Sequence, residues 1–253
     1  MMIRFPHLTL ALPVLLAAAP ALAAELSGAL VSSTGTLPPA VKVVAHGESL
    51  GSSMVGKVEG GRYRIQLPDS GRYHIQVEAD GWEAAPKAVW DPKTAGGLDI
   101  LVYPAEVPEP ALAAELIEMG RQDRLTPGAR AREQRLGAII DAKGWPSVSM
   151  VGYEAAASAW TVAQHASKPF LKRCLPLMQA AAGKLEINPQ HLALSVDRAR
   201  VEEGKPQVYG SQLRDGKGGK LEPSPIEDRA NVDTRRAAMG MEPLADYLAR
   251  FGQ

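Results

Sequence analysis

The sequence has few cysteines and no net charge. The first feature excludes a disulfide-stabilised fold, and the second argues against a nucleic-acid partner. Cys174 is the single cysteine among 253 residues, so no intramolecular disulfide can form and stability must come from apolar cores. Lysine and arginine together number 28, as do aspartate and glutamate. A chain without basic excess offers no broad positive surface for nucleic acid, and we expect no nucleic-acid partner.

Several common catalytic motifs are missing as well. The sequence contains no Gly-x-Ser-x-Gly elbow, no His-Glu-x-x-His helix and no Cys-x-x-Cys pair. These are the arrangements that serine hydrolases, zinc hydrolases and many zinc or redox sites require. We therefore expect neither a metal nor another cofactor, and no zinc or serine hydrolase of a common type.

The start of the chain has the pattern of a secretory signal. Arg4 precedes an apolar stretch at residues 8–16, and Ala21-Leu22-Ala23 has the small-x-small pattern of a cleavage site. The apolar stretch is shorter than the roughly 20 residues that span a bilayer. We predict a signal peptide at residues 1–23, a periplasmic or secreted protein, and no stable membrane anchor after cleavage.

Residues 24–104 alternate between apolar and polar side chains with a period of two. Turn residues such as Gly60-Gly61 and Asp80-Gly81 interrupt the alternation at short intervals. About seven short strands at this spacing predict an antiparallel β-sandwich. The alternating apolar positions are Leu26, Val31, Val41, Val43, Tyr63, Ile65, Leu67, Tyr73, Ile75 and Val77.

Four segments of this region resemble the carboxypeptidase regulatory-like domain, a small transthyretin-like sandwich. They are Gly61-Arg62-Tyr63-Arg64-Ile65, Leu67-Pro68, Gly71-Arg72-Tyr73-His74-Ile75-Gln76-Val77 and Ala79-Asp80-Gly81-Trp82. The resemblance implies a non-catalytic accessory module of the kind that accompanies other domains in envelope and secreted proteins. It does not imply carboxypeptidase activity.

A stiff linker rich in proline and glutamate follows at residues 105–111, and helical periodicity begins after it. Thr126-Pro127-Gly128 ends a first helix, a second is predicted over residues 129–142, and Asn188-Pro189 has the pattern of a helix start. Near residue 215 a glycine-rich turn predicts a small hairpin. The predicted fold is a two-domain α+β protein: an antiparallel β-sandwich, then a mainly helical domain at residues 112–253 with a β-hairpin and a polar cleft.

One helix, predicted over residues 153–166, has a polar stripe on an otherwise apolar surface. Glu154, Ser158, Thr161 and His165 follow at steps of four, three and four. The stripe is either the solvated side of a buried helix or the lining of a cavity. In a cavity His165 would serve as a general base. Because Glu154 lies about 16 Å away along the axis, a carboxylate partner must come from another element.

Asp197 lies in a helix that is apolar on two sides, so we expect it to be partly buried and to need a partner. Two partners are open. An arginine such as Arg198, Arg235 or Arg236 would make a structural ion pair, whereas contact with His165 would orient a catalytic base.

Residues 205–213 are predicted to be extended, with Gln207, Tyr209 and Ser211 on one side and Gln212 on the other. Their amide and phenol groups would either bind a polar ligand or pin the hairpin onto the helices. Arg235 and Arg236 would likewise either clamp an anionic group or form structural ion pairs.

The back half also resembles an uncharacterised bacterial family over roughly residues 112–251. The residues that match are Gly144-Trp145-Pro146-Ser147, Val151-Gly152, Ala156, Ala159-Trp160, Gln164-His165, Leu177-Met178, Asp197-Arg198, Gly204-Lys205-Pro206-Gln207-x-Tyr209-Gly210-x-Gln212, Pro225-Ile226-Glu227-Asp228, Val232-Asp233-x-Arg235-Arg236 and Gly240. The family implies no activity. This sequence departs from it at Asp123-Arg124, where glutamine is expected after the aspartate.

These observations favour an exported cell-envelope protein that binds a polymer, peptide or protein partner in a polar cleft. The alternative is a hydrolase or transferase with His165 as general base, and a third possibility is a purely structural helical domain. The sequence does not decide whether the protein is an enzyme. Candidate catalytic residues are His165, Asp197 and Asp228, and candidate ligand contacts are Glu154, Gln164, Arg198, Gln207, Tyr209, Gln212, Arg235 and Arg236.

Overall fold

The structure is a computed structural model that describes residues 22–48, 51, 53–68, 71–86, 89–91, 97–216 and 220–251. Most of the predicted signal peptide lies outside these residues. Its last two residues, Leu22 and Ala23, begin the first strand. The front of the described chain is rich in strands and the back is mainly helical, so the prediction of a mixed α+β protein is confirmed.

Nine strands lie in the described part of residues 22–104. They are β1 (Leu22–Ser32), β2 (Lys42–Gly47), β3 (Ser53–Val55), β4 (Lys57–Glu59), β5 (Arg62–Pro68), β6 (Tyr73–Glu78), β7 (Trp82–Ala85), β8 (Val89–Trp90) and β9 (Ile100–Pro104). They form a five-stranded sheet in the order β4-β5-β1-β9-β7 and a four-stranded sheet in the order β3-β2-β6-β8.

The expectation of a purely antiparallel arrangement is wrong at one position. The strand β1 pairs antiparallel with β5 along its first part, whereas Leu30 to Ser32 pair in parallel with Ile100 to Val102 of β9. At 11 residues, β1 is long enough to serve two partners in succession. The same geometry turns Val31 outward, where it is 40% exposed rather than buried as its apolar character suggested.

Strand β9 joins the β part to the helical part because both of its faces are buried. Ile100 and Val102 lie in the core between the two sheets, and the alternate residues Leu101 and Tyr103 lie in the core of the helices. Successive side chains of a strand point to opposite faces, so one strand can serve two cores. The two parts of the chain therefore pack against each other.

Eight α-helices and a hairpin follow in the described residues. The helices are α1 (Pro110–Leu125), α2 (Arg130–Lys143), α3 (Val148–Val151), α4 (Tyr153–His165), α5 (Lys168–Ala182), α6 (Pro189–Glu202), α7 (Val232–Ala238) and α8 (Leu244–Ala249), and the hairpin strands are β10 (Leu213–Asp215) and β11 (Leu221–Pro223). No helix in the described residues has the length and apolar character needed to cross a membrane.

Most of the predicted helix boundaries agree with the structure. Helix α1 begins at Pro110, inside the segment predicted as a linker. At the start of α6, Asn188 Oδ1 accepts a hydrogen bond from the backbone N–H of Gln190 at 2.9 Å, which is the capping role its sequence indicated. The hairpin is present, but residues 205–212 do not form the extended strand that was predicted.

Helices α1 and α4 approach each other closely at Gly120. A Cβ atom placed on Gly120 would lie 2.6 Å from the Cβ of Ser158, a separation that real side chains do not tolerate. Leu112, Leu116 and Met119 of α1 are buried on this side of the helix. The glycine thus permits an approach that a larger residue would prevent.

We expect Gly120→Ala to destabilise the protein. Overpacking of a core contact costs about 1–3 kcal/mol, and the better helix propensity of alanine returns about 1 kcal/mol at most. Gly183→Ala is the matched control, because Gly183 has a φ of −62° and a Cβ atom placed there would have only ordinary contacts of 3.7 Å or more. Urea unfolding of both variants measures the difference, and equal stability of Gly120→Ala and the wild type would contradict a tight contact.

Candidate functional site

His165, the last residue of α4, contacts a buried carboxylate from another helix. Its Nδ1 atom lies 2.6 Å from Oδ2 of Asp123 in α1, and the Asp123 side chain is only 1% exposed. Arg132 of α2 donates from Nε to the other oxygen, Oδ1, at 3.0 Å. The backbone N–H of Gly128 donates to the same oxygen at 3.2 Å. Asp123 therefore ties α1, α2 and α4 together.

The arrangement assigns different roles to the two ring nitrogens of His165. A carboxylate oxygen accepts hydrogen bonds, so of the two neutral tautomers it favours the one with hydrogen on Nδ1 and a lone pair on Nε2. The His165 side chain is 33% exposed. Within the described chain Nε2 makes no hydrogen bond. Solvent or a small molecule can reach an oriented proton acceptor.

The polar stripe of α4 is mostly a helix-packing surface, rather than a solvated face or a cavity lining. Ser158 is buried against Gly120, and the Thr161 hydroxyl donates to the backbone oxygen of Ala157 at 3.0 Å. Glu154 is exposed at the start of the helix. The small size of Gly120 and Ser158 explains the difference, since it allows α1 to cover the middle of the stripe.

Gln164 is buried and links α4 to α6. Its Oε1 atom accepts from the Ser195 hydroxyl at 3.1 Å, and that hydroxyl also lies 3.0 Å from the indole nitrogen of Trp160. The predicted ligand contact at Gln164 is thus engaged in holding two helices together.

Asp197 is fully buried, and its partners are backbone amides. Its Oδ1 accepts from the N–H groups of Val208 at 2.7 Å and Tyr209 at 2.9 Å, and its Oδ2 accepts from Ser211 at 2.9 Å. Within the described residues no arginine lies within ion-pair distance of it, and it does not contact His165. Neither of the two partners expected from the sequence is therefore present.

The loop at residues 208–211 closes around Asp197 because Gly210 allows it. Gly210 has a φ of +74°, and a Cβ there would lie 2.9 Å from Leu244 and 3.0 Å from Ile226. The left-handed conformation favours glycine, and a larger residue would also displace the ends of these two side chains. This turn points three amides at one carboxylate, which an extended strand cannot do.

Gln207 and Gln212, which flank the loop at residues 208–211, hold its two ends together by hydrogen bonds. The Gln207 amide nitrogen donates to the carbonyls of Gln212 at 2.9 Å and Ser224 at 2.8 Å. The Gln207 amide oxygen accepts from the Gln212 N–H at 2.8 Å, while the Gln212 side chain donates to the Ser211 hydroxyl at 3.2 Å. Both hydrogens of the Gln207 amide are used inside the protein.

Arg235 and Arg236 bind carbonyl oxygens of the surrounding loops. Arg235 donates to Val208 at 2.9 Å, and it also donates to the carbonyls of Glu227 and Asp228. Arg236, which is 1% exposed, donates to Tyr209 at 2.7 Å and Glu242 at 2.6 Å. Burial lowers the pKa of Arg236 from its ordinary value. These contacts occupy the groups that were expected to clamp an anion.

The remaining candidates lie at the edge of this polar assembly. Asp228 adopts a left-handed φ of 44°, accepts from the Asn231 side chain at 2.9 Å and lies 3.6 Å from Arg235. Arg198 lies 3.4 Å from Glu202 one turn along α6. The Tyr209 phenol is partly buried, which raises its pKa. We call Asp197, Gln207, Gln212, Arg235 and Arg236 with residues 208–211 the Asp197 network.

The structure therefore does not bring the predicted site residues together in one site. The Asp197 network gathers most of the predicted ligand contacts, whereas His165 lies apart from it with Asp123 and Arg132. Sequence reasoning missed Asp123 and Arg132 as partners of His165. A signal was available, because Leu112, Leu116, Met119 and Asp123 follow at helical spacing and place an aspartate on the buried side of α1.

A second histidine, His191 of α6, was also missed. Its ring stacks on Trp160 with 3.9 Å between centroids and 3° between the ring planes. It lies beside a shallow recess with Tyr153 and Asn188. Burial lowers its pKa from the ordinary 6.5 to about 4, so the ring is neutral near pH 7.

No group of three or more histidine, cysteine, aspartate or glutamate side chains suited to a metal ion occurs among the described residues. The lone thiol of Cys174 is buried, and burial raises its pKa to about 12, which makes it a poor nucleophile. The Asp123–His165 contact is thus the arrangement with the clearest chemical capability.

We expect Asp197→Ala to cost about 3 kcal/mol of unfolding free energy or more, because three amides lose a charged acceptor inside the protein. Asp197→Asn should fall between this variant and the wild type, since one amide oxygen remains. Asp246→Ala at an exposed site of α8 is the control and should change stability by about 0.5 kcal/mol or less. Urea unfolding compares the three, and similar values for Asp197→Ala and Asp246→Ala would refute the importance of the network.

We expect the free energy of unfolding to fall in acid because of the buried His191. The folded protein holds the ring neutral down to about pH 4, while in the unfolded chain it takes up a proton below its ordinary pKa of 6.5. Stability therefore decreases as the pH falls through this window, by at most about 1.4 kcal/mol per pH unit. Allowing for partial solvent access, we expect about 1–2 kcal/mol between pH 7 and pH 4.5. His191→Phe should lack this increment in urea unfolding, and parallel losses in both proteins would contradict the assignment.

Comparison with known proteins places most of the back half in a described family. Residues 118–252 match the model of a family of unknown function, DUF6624. No curated protein and no solved structure matches the chain. The matched segment contains Asp123, Arg132, His165 and the whole Asp197 network, and it covers more than half of the chain. The chain belongs to the DUF6624 family of unknown function.

Proposed function

We propose that the helical part of the protein is a hydrolase or transferase in which Nε2 of His165 is the general base. The observation that supports this most directly is the 2.6 Å contact between His165 Nδ1 and the buried Asp123. It orients the ring and leaves Nε2 accessible. We favour catalysis over ligand binding in a polar cleft because the side chains of Gln207, Arg235 and Arg236 donate hydrogen bonds to backbone carbonyls of the protein itself.

The proposed step is proton transfer coupled to attack on an electrophilic centre. Nε2 of His165 accepts a proton from water, or from an acceptor hydroxyl in a transferase, while the oxygen forms a bond to an acyl carbon or a phosphorus atom. The bond to the leaving group then breaks, and the His165 imidazolium returns its proton to that group. Asp123 stays ionised and stabilises the imidazolium between the two transfers.

We propose that the β part is an accessory module of the carboxypeptidase regulatory-like type. Support comes from the four sequence segments that resemble that domain and from a shared apolar core between the two sheets, which includes Leu26, Tyr63 and Tyr73. The arginine, apolar stretch and small-x-small pattern at the start of the chain support export to the periplasm or secretion. An envelope polymer, peptide or protein is then the proposed class of substrate or partner.

The test is a screen of peptides, envelope glycans and phosphoesters with the wild type and His165→Asn. The asparagine amide still donates a hydrogen bond to Asp123 but has no equivalent of Nε2. We expect turnover of at least one substrate class by the wild type, a loss of about 10²–10⁴-fold in His165→Asn, and wild-type stability in urea for that variant.

His74→Ala is the matched control, because His74 is an exposed histidine of the β part, with a side chain that is 60% exposed. It should retain wild-type turnover. Equal rates for the wild type and His165→Asn would reject His165 as the base. Saturable binding of a screened compound without turnover, unaffected by His165→Asn, would instead identify a binding protein.

A further inference from the structure

We propose that Arg132 acts through Asp123 as a positioning residue that keeps His165 neutral, so that its Nε2 atom is free to accept a proton. The kinetic consequence of this proposal rests on the function proposed above, whereas its effect on the protonation of His165 does not. Arg132 lies in the first turn of α2, and its side chain is only 12% exposed.

The two oxygens of the Asp123 carboxylate have different partners. One oxygen, Oδ2, meets His165, while Oδ1 accepts from Arg132 Nε and from the N–H of Gly128. Burial of a carboxylate is costly unless hydrogen bonds or a positive charge compensate it, and arginine is protonated at all relevant pH values. Arg132 supplies that charge, so His165 does not have to be protonated to balance Asp123.

Removal of the guanidinium would reverse this balance. The imidazolium form of His165 would become the cation in direct contact with Asp123, and an opposite charge at this distance favours the protonated ring. A protonated ring carries hydrogen on both nitrogens, so Nε2 could no longer act as a base. The charge of Arg132 thus influences the protonation of His165 Nε2, an atom that Arg132 does not contact.

Arg132 also fixes the chain beside the ring. Its guanidinium donates to the backbone oxygen of Thr126, and it lies 3.4 Å from the Thr126 hydroxyl. Gly128 of the same connection has a φ of +71°, and a Cβ there would lie 2.7 Å from the backbone oxygen of His165. Hydrogen bonds to both carboxylate oxygens hold Asp123 in one rotamer, which sets the direction of Nε2.

Other charged groups around His165 have partners of their own or lie at the surface. The charged residues on the neighbouring helix ends are Asp123 and Arg124 in α1, Arg130, Arg132 and Glu133 in α2, and Lys168 in α5. Glu133 accepts from the N–H and the hydroxyl of Ser167, each at 2.8 Å. Arg124, Arg130 and Lys168 are exposed, and Glu154 of α4 lies three turns from His165. The Arg132–Asp123 pair is therefore the ion pair in direct contact with the ring.

The experiment compares Arg132→Gln with Arg135→Gln by ¹⁵N NMR titration of the histidine rings in the full chain. Arg135 is a suitable control because it forms another α2–α1 ion pair, with Glu115 at 2.5 Å, in which the arginine side chain is 53% exposed. We expect the titration midpoint of His165 to move to higher pH by about one unit in Arg132→Gln and to stay unchanged in Arg135→Gln. At neutral pH the wild-type ring should show the tautomer with hydrogen on Nδ1.

A conservative variant separates charge from fold. Arg132→Lys keeps the positive charge, so the titration midpoint of His165 should stay close to that of the wild type, and this variant provides the test if Arg132→Gln does not fold. An unchanged midpoint in folded Arg132→Gln, or a shift of about one unit in Arg132→Lys, would overturn the inference. If a substrate is found, the acid limb of kcat/KM should move by the same amount as the midpoint. A shifted midpoint in a protein without turnover would instead reject the proposed function alone.

Discussion

The close approach of α1 and α4 is the constraint on which the candidate site depends. Gly120 provides the space for Ser158, so the two helices run near enough for polar side chains further along to meet. One turn beyond Gly120, Asp123 reaches His165 at the end of α4. A bulkier residue at the contact would separate the helices, and the buried carboxylate would lose a partner that it needs in a medium of low dielectric constant.

Two buried aspartates show how hydrogen-bond partners distinguish a structural group from a chemically capable one. Asp197 accepts from three backbone amides, and these bonds hold a loop in one conformation. Asp123 is bonded largely to side chains, and one of them is an imidazole with a second nitrogen that remains accessible. Burial and charge are similar in the two cases. The two aspartates differ in chemical capability because the imidazole bonded to Asp123 keeps a second reactive nitrogen, whereas the backbone amides bonded to Asp197 have no further reactive group.

The parts of the fold that the sequence predicted are those set by local interactions. Helical periodicity and the Asn188 cap gave the boundaries of several helices, since each depends on residues within about one turn. The loop at residues 208–211 was missed because its amides turn toward Asp197, more than ten residues earlier in the chain, against the local extended preference. Asp123 and His165 are separated by 42 positions, and the parallel pairing of β1 with β9 spans about 70. Contacts of this kind depend on how the elements assemble, which periodicity does not encode.

The β part contacts the helix that carries His165, although it lies far from that residue in sequence. Leu101 and Tyr103 of β9 enter the helical core, and the Tyr103 hydroxyl accepts from the N–H of Tyr153 at 3.3 Å at the first residue of α4. The middle of α4 is held by Ser158 against Gly120 and by Trp160 against Ser195. Because a helix is stiff, fixing its start and its middle limits the positions available to His165 at its end. A β part packed in this way would stabilise the direction of the proposed base without supplying any reacting group.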